Sequence, residues 1–212
     1  MCLHFLRDRR YLHAMAWVVV GLGNPGEEYS NTRHNAGRMA LTHFVKQVGL
    51  GEWKEDTKKK YTIARGMVGK EVVVALAPDT YMNKSGAAVL HFIKSQKAAE
   101  KLIVAYDDMD LPLGTIKLSF DRGSGGHHGL ESIMRAVKTK KFTRIRIGVS
   151  PHTPGGKTKK PQGEEAVLKF ILAKFKPAEV DELKKVFKRT TGAIEMCVAE
   201  NPFAAMNEFN RG

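Results

Sequence analysis

The sequence predicts an α/β fold: a single domain with a twisted mixed β-sheet flanked by helices. Short β-branched runs such as Val18–Val20, Val72–Ala77 and Arg144–Val149 are interspersed with segments of helical periodicity, the pattern of strands and helices sharing one core. A chain of 212 residues is long enough to bury such a core as one domain. Its 42% hydrophobic and 27% charged residues are those of a globular protein.

The elements follow in order. Residues 1–14, with Arg7, Arg9 and Arg10 beside Asp8 and no serine, read as an extension outside the fold, so the domain is expected over 15–212. Val18-Val19-Val20 forms a strand entering a glycine-rich turn at Gly21. Asn31-Thr32 caps a helix carrying His34, Met39, Leu41, Phe44, Val45 and Val48, which stops at Gly49. Residues 51–60 are polar and predict an exposed loop. Tyr61–Val68 and Glu71–Ala77 form a hairpin around Gly69-Lys70.

A helix begins near Lys84 and includes Ala87–Phe92, and Leu102–Tyr106 is a short buried strand ending at Asp107, Asp108 and Asp110. Thr115–Phe120 alternates as a strand, Gly123–Gly129 opens a helix through Val137, and Arg144–Val149 is a further strand. Pro151–Gly163, rich in Pro, Gly and Lys, predicts a mobile loop. Pro177 starts a helix with Glu179, Asp181 and Glu182 early and Lys184, Lys185, Lys188 and Arg189 later, an order that complements the helix dipole. Its buried stripe is Leu183, Val186, Phe187, Thr190, Ile194 and Cys197.

Lys plus Arg is 35 against 22 Asp plus Glu, a formal charge of +13, and without residues 1–14 the chain still carries +11. Such an excess suits a polyanionic partner, although a solvated lysine surface produces the same count. Cys2 and Cys197 are far apart and in no metal spacing, which argues against a disulfide framework or zinc site and fits a reducing, cytoplasmic compartment. No apolar run is long enough to cross a bilayer.

Gly21-Leu-Gly-Asn-Pro-Gly26 fits the dinucleotide fingerprint after a strand, but Pro25 lies inside the turn and no second acidic-ended strand follows at the expected distance. His127-His128 reads as loop polar contacts rather than metal ligands. A better constellation lies at strand ends. Asn24 follows the first strand, His34 opens the next helix, Asn83 follows the Val72–Ala77 strand, and Asp107 follows Leu102–Tyr106. If these strands are parallel neighbours, the four residues converge, and a histidine held by a carboxylate beside two amides can activate water.

Those residues sit in longer motifs. Gly21-Leu-Gly-Asn-Pro-Gly-Glu-Glu-Tyr-Ser-Asn-Thr-Arg-His-Asn-Ala-Gly37, Thr80-Tyr-Met-Asn-Lys-Ser-Gly86, Asp107-Asp-Met-Asp-Leu-Pro-Leu-Gly114, Gly123-Ser-Gly-Gly-His-His-Gly-Leu-Glu-Ser-Ile133 and Arg144-Ile-Arg-Ile-Gly148 occur in this order over Ala16 to Asn210. In order and spacing the set resembles the bacterial-type peptidyl-tRNA hydrolases. The resemblance implies an enzyme that hydrolyses the ester joining a peptide to tRNA, as a monomer with no metal or organic cofactor. It assigns His34 as general base, Asp107 as its partner, Asn83 as water or oxyanion donor, and Asn24 as reader of the peptide end. Tyr29, Tyr81 and Met82 line the substrate path, and Arg144 and Arg146, with Lys117 and Arg122, contact tRNA phosphates. His128 stands where the family has Asn and is assigned a substrate contact; Tyr106 stands where His is common, and Ser119 replaces a basic residue. The same resemblance also admits a non-catalytic RNA-binding relative, such as an intron-splicing factor.

Overall fold

Val18, Val19 and Val20 are all buried, which places their strand in the middle of a sheet covered on both faces. In the computed structural model, which describes residues 16–151, 158 and 160–211, this strand, β1 (Trp17–Gly21), is the fourth of seven. The expected extension 1–14, Met15, and 152–157 and 159 of the expected loop lie outside the described residues.

β1 pairs in parallel with β4 (Glu71–Pro78) on one side and β5 (Leu102–Pro112) on the other, Val19 lying between Ala75 and Ile103. β5 continues in parallel to β7 (Thr143–Ser150). Antiparallel strands complete both edges: β3 (Tyr61–Val68) and β2 (Lys54–Asp56) beyond β4, and β6 (Ile116–Phe120) beyond β7. The sheet is therefore mixed, in the order β2-β3-β4-β1-β5-β7-β6.

Successive strand residues point to opposite faces, so two cores form. Val19, Ile103 and Ile145 pack with α1 (Ala36–Val48) and α5 (Pro177–Ala199). Val18, Val20 and Val104 pack with α2 (Ser85–Val89) and α3 (His128–Val137). Fully burying a Val, Leu, Ile or Phe is worth about 1.5–3 kcal/mol, so these layers carry most of the stabilisation. The predicted stripe of α5, from Leu183 to Cys197, is buried throughout. Pro177 stands at its first turn, and the Lys176 amide donates to Glu179 Oε2 at 2.6 Å.

Several boundaries differ from the sequence expectation. Residues 51–60 are not wholly loop, because the charged segment β2 hydrogen-bonds along β3; charged side chains suit an edge strand. The first helix begins at Ala36 rather than at the Asn31-Thr32 cap, since the Thr32 hydroxyl donates to the Tyr29 carbonyl and Arg33–Asn35 form a 3₁₀ turn. Gly49 ends the helix in the left-handed region, with φ 62°. β5 does not end at Tyr106 but runs through the acidic residues to Pro112, with a register shift against β7 between Asp108 and Pro112. Two further helices, α4 (Glu164–Leu172) and α6 (Pro202–Phe209), are not marked by the sequence patterns above.

Candidate active site

The site forms where α1 approaches the carboxyl end of β5. Gly37, in the first turn of α1, lies so close to β5 that a Cβ there would overlap the Ala105 carbonyl. That approach carries the preceding turn, Arg33–Asn35, onto the strand and places His34 beside Asp107. His34 Nδ1 is 3.0 Å and 3.1 Å from the two Asp107 carboxylate oxygens.

Asp107 has a second imidazole partner. His127 Nε2 lies 3.1 Å from Asp107 Oδ1, while His127 Nδ1 accepts the Leu130 amide at 3.4 Å as the N-cap of α3. An Nδ1 that accepts leaves the ring proton on Nε2, which donates to the carboxylate. The His34 and His127 ring centroids are 5.2 Å apart, and Tyr106 meets His127 edge-on at 5.0 Å. The polar contacts expected of His127 thus include one with Asp107 itself. Nothing in its local sequence reports that a loop from another strand will close onto Asp107.

Burial disfavours charge on both members of the central pair, yet their mutual attraction prevails. Burial pulls the His34 pKa down, but the Asp107 charge and hydrogen bond leave it above its ordinary value. Burial pushes Asp107 up, but His34 and His127 hold its carboxyl well below the usual carboxylate range. Burial and the neighbouring Asp108 push the Tyr106 hydroxyl up to about 12.

His34, Asp107 and His127 line a cavity of about 270 Å³ together with residues that include Arg122, Arg146 and Leu168. A carboxylate-held imidazole beside a cavity is equipped to take a proton from water. A 3.0–3.1 Å spacing on either side of one carboxylate is that of hydrogen bonds, although the three side chains also form a grouping able to hold a metal ion.

A profile of the Peptidyl-tRNA hydrolase family matches residues 18–212. The chain belongs to the peptidyl-tRNA hydrolase family. It is 40% identical over 196 residues to the peptidyl-tRNA hydrolase of Aquifex aeolicus, covering 92% of this chain and 96% of that one. It is 36% identical to that of Syntrophotalea carbinolica, covering 91% and 96%. The crystal structure of peptidyl-tRNA hydrolase from Acinetobacter baumannii superposes with a TM-score of 0.81 at 32% identity, covering 93% of this chain and 96% of that one.

The other residues expected from the peptidyl-tRNA hydrolase resemblance occupy varied positions. Asn24 is locked in place: its amide donates to Asn35 Oδ1 and its carbonyl accepts from Asn35 Nδ2, both at 2.9 Å. Its Oδ1 accepts the Met82 amide at 2.9 Å, which ties the β1 and β4 loops together. Asn24 and Asn35 line a second cavity of about 260 Å³ with Arg38 and Asp79. Asn83 is exposed in the 3₁₀ turn Met82–Lys84, and Tyr81 beside it is 62% exposed, while Tyr29 is half-buried. Met82, expected along the substrate path, is instead buried in the core against α3, close beside Gly129.

On the phosphate side, Lys117 and Arg122 are exposed, and Lys117 lies across the strand from Arg146. Arg146 is half-buried, its Nε 2.7 Å from Asp108 Oδ2. Arg144 corrects the expectation of a surface phosphate contact. It is fully buried, stacked over Phe142 at 4.8 Å, and donates to the carbonyls of Gly123 (2.6 Å) and Arg122. Ser119 faces it across the strand pair and is also buried. His128 is exposed at the cavity mouth, 3.4 Å from Glu131 Oε2. Among the described residues, no helix is long and apolar enough to cross a membrane.

Proposed function

We propose that this chain hydrolyses peptidyl-tRNA with His34 as the general base; the observation that carries this is the His34–Asp107 pair opening onto a cavity. The substrate is a peptide esterified to the terminal ribose of tRNA. The Nδ1 proton of His34 is held by Asp107, so Nε2 is free to take a proton from water. The resulting hydroxide attacks the ester carbonyl, and the tetrahedral intermediate collapses with release of the ribose oxygen, which takes up the proton. The products are a free peptide carboxylate and reusable tRNA.

Asp107 holds the tautomer and stabilises the imidazolium, and His127 holds Asp107. The exposed amide of Asn83 supplies a donor for water or the oxyanion. Asn24, whose Oδ1 is engaged by Met82, has its Nδ2 donor for the peptide end. Tyr29, Tyr81 and His128 serve the peptide and acceptor end, and Lys117, Arg122 and Arg146 serve the phosphates. The enzyme acts as a cytoplasmic monomer.

The test is release of an N-blocked amino acid from N-blocked aminoacyl-tRNA by the native chain and by His34→Ala. The native chain is expected to release it, and the variant to lose at least about 10²-fold in turnover, the lower end of positioned proton transfer. Near-native turnover by a folded variant would remove His34 as the base. No release by either chain, alongside tight RNA binding, would favour the non-catalytic relative.

A further inference from the structure

Arg33 immediately precedes His34, yet its side chain reaches a different part of the molecule. It is 5% exposed. Its Nη1 donates to the carbonyls of Ala173 (3.3 Å) and Lys174 (3.0 Å), and its Nη2 lies 2.9 Å from each carboxylate oxygen of Glu179. The rings of Phe170 and Phe175 flank the guanidinium at 4.8 Å and 5.1 Å. Phe170 belongs to α4, Ala173 to Phe175 form the link that follows, and Glu179 is in the first turn of α5.

The backbone makes the same connection. The Arg33 amide donates to Ala173 at 3.1 Å, the Phe175 amide donates to Asn31 at 3.0 Å, and Thr32 and Lys174 form an antiparallel bridge. This anchorage matters because no residue of α4 is buried. Phe170 packs partly buried against the core, and Val167, Leu168 and Ile171 form a wall of the cavity that contains His34. One end of α4 is thus tied to the turn that carries the base, while an adjacent face looks into the cavity.

We propose that Arg33 is a positioning residue for the hydrolytic reaction: its clasp on Phe170, the Ala173–Phe175 link and Glu179 sets the α4 wall at a fixed place relative to His34. The proposal rests on the reading that this cavity receives the substrate. Nη1 on two carbonyls and Nη2 on the Glu179 carboxylate, from one plane stacked on aromatic rings, need a guanidinium, and a lysine ammonium cannot reach both sets of partners at once. With the clasp weakened, α4 samples open positions and the substrate loses contacts, while the His34–Asp107 geometry persists.

The experiment compares the native chain with Arg33→Lys and Glu179→Gln. KM for N-blocked aminoacyl-tRNA is expected to rise about three- to tenfold with kcat within about twofold, the pattern of lost substrate binding. Amide exchange in Val167 to Leu172 should quicken, with β1 and β5 unchanged and the pH of the acid limb unmoved. If Arg33→Lys fails to fold, the isosteric Glu179→Gln decides. A lower melting temperature with native KM, or faster exchange with native KM, would overturn the proposal in favour of a purely structural clasp. Retained turnover in His34→Ala would sink the base assignment instead, leaving the exchange comparison on α4 to stand separately.

Discussion

His34 directs one ring nitrogen at both carboxylate oxygens of Asp107, at 3.0 Å and 3.1 Å, from a position 73 residues away in sequence. For the proposed base, the pairing decides which nitrogen is free to work. Nδ1 carries the proton and donates, so Nε2 is the basic atom. It also decides the charge balance, because the attraction of the pair outweighs burial for both partners.

The proposed base must be neutral, and the His34 pKa lies above its ordinary 6.5. kcat/KM is therefore expected to fall as pH drops through that raised value. Asp107→Asn removes the charge that raises it and leaves burial, which lowers it. The acid limb should move to lower pH while the plateau drops at least about tenfold through loss of tautomer control. A pH–rate profile with an unmoved acid limb would count against the coupling.

His127 presents two separable consequences. Replacing it by Ala takes one donor from Asp107 and the N-cap from α3. Loss of the cap should lower stability by about 1 kcal/mol in denaturant titration. Turnover should fall less than in Asp107→Asn, because His34 still holds the carboxylate. Native kcat in a destabilised His127→Ala would show that the ring serves the helix alone.

How far the sequence reached is best seen at these residues. Periodicity located β1, β3, β4 and the stripe of α5, because a strand or helix with a buried face repeats its apolar positions locally. The parallel neighbours β4, β1 and β5 then account for His34 meeting Asp107. His127 and Arg144 were illegible for the opposite reason. Each is defined by a contact with a distant segment, and a histidine in a glycine loop or an arginine in a strand looks alike whether it faces solvent or a buried carbonyl. The sequence places the strand end at Tyr106 because Asp107 and Asp108 are poor strand formers, whereas in the structure they pair with Ile147 and Gly148 of β7.

Arg144 and Arg146 alternate on one strand but should respond oppositely to substitution. Arg144→Met leaves the Arg122 and Gly123 carbonyls without their donor, a loss of about 2–4 kcal/mol in stability. Arg146→Gln should leave the melting temperature close to native, raise KM and reduce the salt slope of tRNA binding by about one. Equal salt slopes for native and Arg146→Gln would exclude a phosphate contact at that position.

Gly37 tests whether the close packing of α1 on β5 is what brings His34 to Asp107. A methyl group there would overlap the Ala105 carbonyl and approach the Leu22 amide, and both are backbone atoms of central strand segments that cannot turn aside. α1 must therefore lift from the sheet, carrying the Arg33–Asn35 turn with it. Gly37→Ala should destabilise the chain by about 1–3 kcal/mol, the usual range for overpacking, despite the higher helix propensity of alanine. Because His34 moves with the turn while Asp107 stays in β5, the variant should also lose turnover below its melting temperature, with its acid limb shifted toward that of Asp107→Asn. Native turnover and a native pH profile in Gly37→Ala would mean that His34 and Asp107 hold each other without help from the helix.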